Sequence, residues 1–527
     1  MSASAETERA EVGPDALGLE GGLVRRVLAS GRDHVLVRFV VLRAMGLVYF
    51  AAFLSNALQM VPLVGARGLL PAAPAVERLV ATSGRLGAFR QLPTLFVFTG
   101  ASDTAIVATS WIGVALSLAV MLGATNALVM VVLWALYMSL EHVGQTFFNF
   151  GWEIQILETG LLTAFLCPIR SWRPFPTTPP SPIAIWLLRW LIARVMLGSG
   201  LIKLRGDPCW SNLTCLDHHF ETQPNPGPLS PFFHHLPHWA HATGVVFNFV
   251  AELVAPFFAF GPRRLRLVAA ITMIAFQLTL ITSGNLAFLN WLTLVPALAC
   301  LDDRALGRVL PNRFTAFATR ATSSPAPPRA AMYASGAYAL AVAVLSLAPT
   351  ANLLSPMQEM NRSYEPLHLV NTYGAFGGVN ETRYEVVLEG TLADDPDDPS
   401  AEWRSYELPS KPGSLDKPLS WITPYHRRLD WQMWFLPFGS AEDNPWFIHL
   451  VEELLAGAPE ARALFVRDPF PDRPPRFIRA DLYVYRFSNR PGRVWERDFA
   501  APYLAPIALG DPTLHAYLAR RGLDSSP

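Results

Sequence analysis

Apolar residues gather into long unbroken runs over the first part of this chain and into short, partly alternating runs after Pro349. A bilayer core of about 30 Å needs roughly 20 mostly apolar residues per helix. Nine stretches approach that length: near Phe39–Met60, Thr104–Gly123, Asn126–Leu140, Glu153–Pro168, Ile183–Lys203, Gly244–Phe260, Leu265–Ser283, Leu286–Leu301 and Ala331–Leu347. The third, fourth and eighth are short for separate crossings. Beyond them, Tyr384–Thr391, Trp403–Leu408 and Ile478–Ser488 carry β-branched and aromatic residues with partial alternation and read as strands, and Trp446–Ala456 reads as an amphipathic helix. The pattern predicts a polytopic α-helical membrane bundle of about nine helices followed by a soluble, β-rich α+β C-terminal domain. The expected division is a polar tail over 1–34, a helical domain over 35–349 with an extracytoplasmic loop at 204–243, and a C-terminal domain over 350–527.

Composition agrees. Of 527 residues 51% are hydrophobic and only 16% charged, where a soluble chain carries about 25% charged residues. The formal net charge is zero, so nothing electrostatic points to nucleic acid. The polar start lacks the basic and apolar regions of a signal peptide, so the first apolar run is expected to stay as an anchor. Basic residues suggest orientation. With the N-terminus inside, nine passes place Arg25, Arg26, Arg32 and Arg38, Arg170/Arg173, Arg263/Arg264/Arg266 and Arg304/Arg308/Arg313 on the cytoplasmic side, as the positive-inside rule asks. The Arg67–Arg90 loop runs against it. The loop 204–243 and the C-terminal domain then face outward. SWRPFPTTPPSP (171–182) and TSSPAPPR (322–329) read as stiff connections.

Ionisable groups inside membrane helices are costly and mark candidate function. Here the intramembrane polar set is Arg43, His142, Asn149, Glu153, Glu158, Arg194 and Lys203. At 1.5 Å per residue Glu158 lies about 8 Å and Arg194 about 14 Å below the ends of their helices, so they could pair. A structural role is the favoured reading: ion pairs and snorkelling side chains that hold helices together. In the loop, Cys209 and Cys215 are close enough in sequence for a disulfide. The histidines 218, 219, 234, 235, 238 and 241 invite a metal, but adjacent residues point apart and no HxH or HxxxH spacing has a supporting carboxylate, so no metal and no cofactor are expected. Asn212, Asn361 and Asn380 begin glycosylation sequons, meaningful only in a eukaryotic secretory pathway.

In the C-terminal half, Tyr425, His426, Asp430, Trp431, Trp434 and Trp446 cluster aromatic and charged groups. They suit a client-binding surface and suit the core of a small domain as well. No GxSxG elbow, P-loop, GxGxxG, HExxH or CxxC occurs, which removes the usual hydrolase, NTPase, dehydrogenase and thioredoxin signatures.

Several long segments are similar to the lipase maturation factors: LYMSLEHVGQTFFNFGWEIQILETGLLTAFLCP (136–168), RWLIARVMLGSGLIKLRGDPCWSNLTCLDHHFETQPNPGP (189–228), ITSGNLAFLNWLTLVPALACLDD (281–303), MNRSYEPLHLVNTYGAFG (360–377) and ITPYHRRLDWQMWF (422–435). The resemblance implies a multi-pass, non-catalytic folding factor that helps secreted homodimeric lipases, or related exported clients, reach their assembled form. It implies an endoplasmic reticulum membrane if the chain is eukaryotic and the cytoplasmic membrane if bacterial, with the C-terminal domain lumenal or periplasmic. ELPSKPGSLDKPLS (407–420) departs from the animal pattern in having no cysteine pair. A shorter resemblance, Gly200-Leu-Ile-Lys203, is to vitamin-K-dependent γ-carboxylases. It implies an alternative in which Lys203 is a general base, its pKa lowered by desolvation, with Glu153 or His142 nearby.

Overall fold

The computed structural model describes residues 33–321 and 327–523. Arg25, Arg26 and Arg32, and most of the Pro-rich connection at 322–329, lie outside them. All nine apolar stretches are helical: α1 (Val35–Val64), α2 (Asp103–Leu122), α3 (Ala127–Val143), α4 (Gly151–Ala164), α5 (Pro182–Arg205), α6 (His238–Phe258), α7 (Arg263–Ser283), α8 (Leu289–Leu298) and α9 (Arg329–Leu345). Six of them, α1, α2, α5, α6, α7 and α9 with its continuation to Leu354, are long and apolar enough to cross a membrane. The other three are not. Fourteen residues of α4 and ten of α8 rise only about 21 and 15 Å. They are wrapped by neighbours instead: every residue of α4 except Leu161 is buried. Lipid-facing surface falls on α2, α7 and α9, where Trp111, Ile112, Ile271, Val268, Leu340 and Val344 are exposed. The chain is an integral membrane protein.

Local chemistry sets the helix ends. The Asn126 side chain accepts from Leu128 and Val129 N–H at 2.9 and 3.3 Å, and Ser102 accepts from Ala105 N–H, ordinary N-caps for otherwise orphaned donors. Pro182 starts α5 at its first position, where a missing N–H costs nothing. α1 has no cap of its own. The Asp303 carboxylate serves instead, accepting from Val35, Leu36 and Val37 N–H at 2.7, 2.9 and 3.1 Å. α1 lies at the centre, and glycines allow its neighbours close: Gly160 of α4 abuts the Tyr49 hydroxyl and Gly113 of α2 the Phe53 ring, both places a Cβ would fill.

The C-terminal part is an antiparallel sheet, β1 (Arg383–Thr391), β2 (Arg404–Ser405), β3 (Phe477–Phe487) and β4 (Trp495–Ile507), in order β2-β1-β3-β4. Its helices are α10 (Arg428–Trp434), α11 (Pro445–Leu455) and α12 (Pro512–Arg521). The stretch read as a strand at Trp403–Leu408 pairs over only two residues, and β4 was not anticipated. β4 is an edge strand, largely exposed and containing Pro502, which is where proline is tolerated in a sheet. Its alternation is therefore weak in sequence.

Candidate functional site

The C-terminal domain is keyed into one end of the bundle by charge. Residues 420–431 descend onto α1, α3 and α4. Asn285, before α8, accepts from Ile422 N–H at 2.9 Å and donates to the Ser420 carbonyl at 2.8 Å; Trp291 donates to Thr423 Oγ1 at 3.0 Å. Gln59 of α1 donates to the His426 carbonyl at 2.7 Å and accepts from Arg428 N–H at 3.0 Å. Arg428 itself is fully buried. Its guanidinium donates to Glu153 Oε1 at 2.9 Å, Asn56 Oδ1 at 2.9 Å and the Phe147 carbonyl at 2.9 Å, and lies over the Phe148 ring. The second Glu153 oxygen accepts from the Tyr137 hydroxyl. A buried carboxylate that has both oxygens occupied and a guanidinium partner meets the condition under which burying such a pair is tolerated.

A second key lies deeper. Glu158 of α4 pairs with Arg194 of α5, and both are joined by 371–373: Asn371 N–H and the Tyr373 hydroxyl donate to Glu158 Oε2 at 3.1 and 2.7 Å, while Arg194 donates to the Asn371 carbonyl at 2.9 Å. Every member is buried.

Lys203 makes a third buried pair, this one within the bundle between α5 and α6. Its ammonium donates to Glu252 Oε1 at 2.6 Å, Glu252 Oε2 at 2.8 Å and Asn248 Oδ1 at 3.0 Å. Glu252 sits in a π-helical turn of α6, Val250–Val254, the kind of bulge that turns a side chain out of helical register. The pair lines a chamber of about 520 Å³ whose wall is mainly apolar, including Trp152, Met196, Phe276, Trp431 and Phe435. That volume falls in the range of small-molecule sites. The loop roofs it: Cys209 and Cys215 are joined in a disulfide, Trp210 packs on Lys203, and His219 and His241 reach the chamber. Arg383 of β1 donates to the carbonyls of Glu221 and Pro224 at 2.8 and 3.1 Å, pinning the loop to the sheet.

Residues grouped from sequence therefore do not form one cluster. Arg43 lies apart, donating to the Ala124 carbonyl at 2.8 Å past the end of α2. Asn149 is exposed at the chamber rim. Glu153, Glu158 and Lys203 each have a separate counter-ion, and His142 lies beside Glu141 and His368. The lysine-base alternative is not supported: all three ammonium protons of Lys203 are held by acceptors, and neither Glu153 nor His142 is among its partners. Of the client-binding candidates, His426, Asp430, Trp431 and Trp446 are buried: the first three lie in the segment packed onto the bundle, and Trp446, on α11, packs against Phe147. Asp430 accepts from Ser410 N–H at 2.6 Å. Tyr425 and Trp434 are half-buried. Glu252 and Arg428 were missed. Glu252 was visible as an acid within an apolar run.

Two buried imidazoles give the assembly a pH limit. Burial, with Arg428 adding to it, holds His426 down at about 4; burial, with Lys203 adding to it, does the same to His219. In the unfolded chain each takes up a proton near 6.5. Between those values the unfolded state binds more protons, so the stability present above about 6.5 is lost as pH falls toward 4. Thermal unfolding of the purified protein from pH 7 to 4.5 should show a falling midpoint, and His426→Gln should flatten the slope. A wild-type midpoint that stays level would contradict the assignment of neutral imidazoles.

Two family models match the chain, one described as the lipase maturation factor transmembrane domain over residues 36–308 and one as the lipase maturation factor C-terminal domain over 369–505. Lipase maturation factor 1 of Bos taurus is 43% identical over 92% of this chain and 91% of its own length. The Homo sapiens protein of that name is 41% identical over 92% and 90%, and Homo sapiens lipase maturation factor 2 is 31% identical over 93% and 85%. No solved structure matches.

Proposed function

The chain belongs to the lipase maturation factor family, and from that premise we propose that it is a membrane-bound maturation factor for secreted lipases or related exported clients. The observation that carries this reading is that the similarity runs through the bundle and the sheet domain together, so the relation is to the whole factor and not to a shared membrane module. The N-terminus is assigned to the cytoplasm and the domain over 350–527 to the lumenal or periplasmic side, where newly exported chains emerge. The membrane is that of the endoplasmic reticulum in a eukaryotic cell and the cytoplasmic membrane in a bacterium. Client contact is assigned to Tyr425 and Trp434, with the exposed Phe438 packed edge-on against Trp434 and the exposed Trp421 four residues before Tyr425. The work is binding, without a chemical step.

Deleting the gene should leave a client lipase synthesised and exported but with its specific activity lowered severalfold, and re-expression should restore it. Unchanged specific activity of every secreted lipase in the deletion strain would refute the proposal. A reporter fused after residue 523 checks orientation separately.

A further inference from the structure

The segment 361–376, whose residues 371–373 form part of the second key, is held in an unusual shape. Asn361, His368 and Phe376 all have positive φ, near +54°, a conformation that costs non-glycine residues energy and persists only where the surroundings impose it. Around His368 the imposing group is Glu365. Its carboxylate accepts from Leu367 N–H at 2.7 Å and from Leu369 N–H, and its carbonyl accepts from His368 N–H at 3.2 Å. The result turns the His368 ring back onto the last turn of α3.

There it meets Glu141 and His142. Glu141 Oε2 lies 3.4 Å from His142 Nδ1 and 3.4 Å from His368 Nε2, and one donor atom from each residue falls within 4.8 Å of the others. His142 Nε2 is 3.0 Å from the Pro366 carbonyl. A carbonyl only accepts, so Nε2 carries the proton and the Nδ1 lone pair points at the shared space. This is the arrangement in which a carbonyl behind a histidine fixes its tautomer for metal binding. Glu141 Oε2 and both nitrogens of His368 are shielded from solvent and have no hydrogen-bond partner.

Zinc binds imidazole nitrogen at about 2.0–2.1 Å and carboxylate oxygen at about 2.0–2.2 Å in a tetrahedron, whose edges are then about 3.3–3.5 Å. The two separations from Glu141, 3.4 Å each, fall in that range. Two imidazoles and one carboxylate disfavour calcium and magnesium, which take oxygen ligands. The neighbouring groove, about 730 Å³ and lined by Gln145, Ser363 and Glu365 among others, gives an ion a path in and water for a fourth position. A plain ion pair accounts less well for the geometry, since it would leave the second ring's lone pair aimed at the same carboxylate oxygen. His449, Glu452 and Glu453 also converge, but they lie one helical turn apart on α11 and are ordinary i, i+3 and i, i+4 pairs.

We propose that Glu141, His142 and His368 bind one divalent ion of the zinc class, clamping the 361–376 segment to the end of α3. The full-length protein, purified in detergent, stripped with EDTA and dialysed against micromolar zinc with a weak competing chelator, should retain about one equivalent. Glu141→Gln and His368→Ala should each weaken zinc binding by at least about tenfold, while His449→Ala retains it. Cobalt(II) added to the wild-type protein gives a readout that needs no variant: tetrahedral coordination produces strong visible absorption bands, and zinc should quench them stoichiometrically. No retained zinc would overturn the site outright; retention equal in wild type and His368→Ala, or cobalt spectra of an octahedral aquo ion, would mean an adventitious ion only and would overturn it as well.

Discussion

Replacing Arg428 with methionine should destabilise the protein by about 3–5 kcal/mol, the cost of leaving a buried charge without its partner. Glu153 would lose the guanidinium at 2.9 Å and keep the Tyr137 hydroxyl, too little to hold a fully buried carboxylate. Asn56 and the Phe147 carbonyl would lose their donor as well. The sheet domain would then detach most readily at 420–431, since Gln59 and Asn285 bond only backbone or single side chains there. Combining Arg428→Met with Glu153→Gln removes both charges and should recover most of the loss. Unfolding midpoints and the yield of monodisperse protein in detergent give the measurement. If the double variant is no better than Arg428→Met alone, the pair is not what seats the domain.

Lys203→Met should have an effect of the same order, again about 3–5 kcal/mol, with Glu252 left in an apolar wall beside Asn248. Adding Glu252→Gln should restore abundance, because the amide can still bond Asn248 and carries no charge. The comparison separates two roles for the lysine. An ion-pair member is rescued by neutralising its partner. A proton-abstracting base is not rescued by that change in any assay of its chemistry, though folding would still recover. Equal yields of wild type and Lys203→Met would show that the pair contributes nothing to the bundle.

The helices were legible because length and apolarity are local properties, and lipid leaves few alternatives to a helix. Their lengths were less so: three of the nine, α3, α4 and α8, are shorter than a usual crossing helix. α8 is cut to ten residues by Gly284–Phe288 on one side and by Pro296 and the turn after Leu298 on the other, and nothing in its hydropathy says that it packs inside the bundle. The pairing of Glu158 with Arg194 followed from depth along two consecutive helices. The partners of Glu153 and Lys203 did not: Arg428 lies in another domain, and Glu252, though visible as an acid in an apolar run, lies on a helix whose packing against α5 no local pattern shows. The aromatic cluster at 425–446 shows the limit of composition. The same residues would serve a surface or a core; packing onto the bundle buries His426, Asp430 and Trp431 and leaves Tyr425 and Trp434 half-buried.

The Glu153–Arg428 key joins residues 275 positions apart. During synthesis at about 5–20 residues per second the carboxylate waits roughly 15–55 s for its counter-ion. For that interval α4 cannot settle among its neighbours with the charge ionised and dry, and Glu158 depends in the same way on Asn371 and Tyr373. Completion of the last third of the chain is then expected to gate assembly of the bundle. Nascent chains arrested early would carry an unfinished, quality-control-visible membrane segment, so a truncation in the soluble part reads out as loss of the whole protein rather than loss of one module.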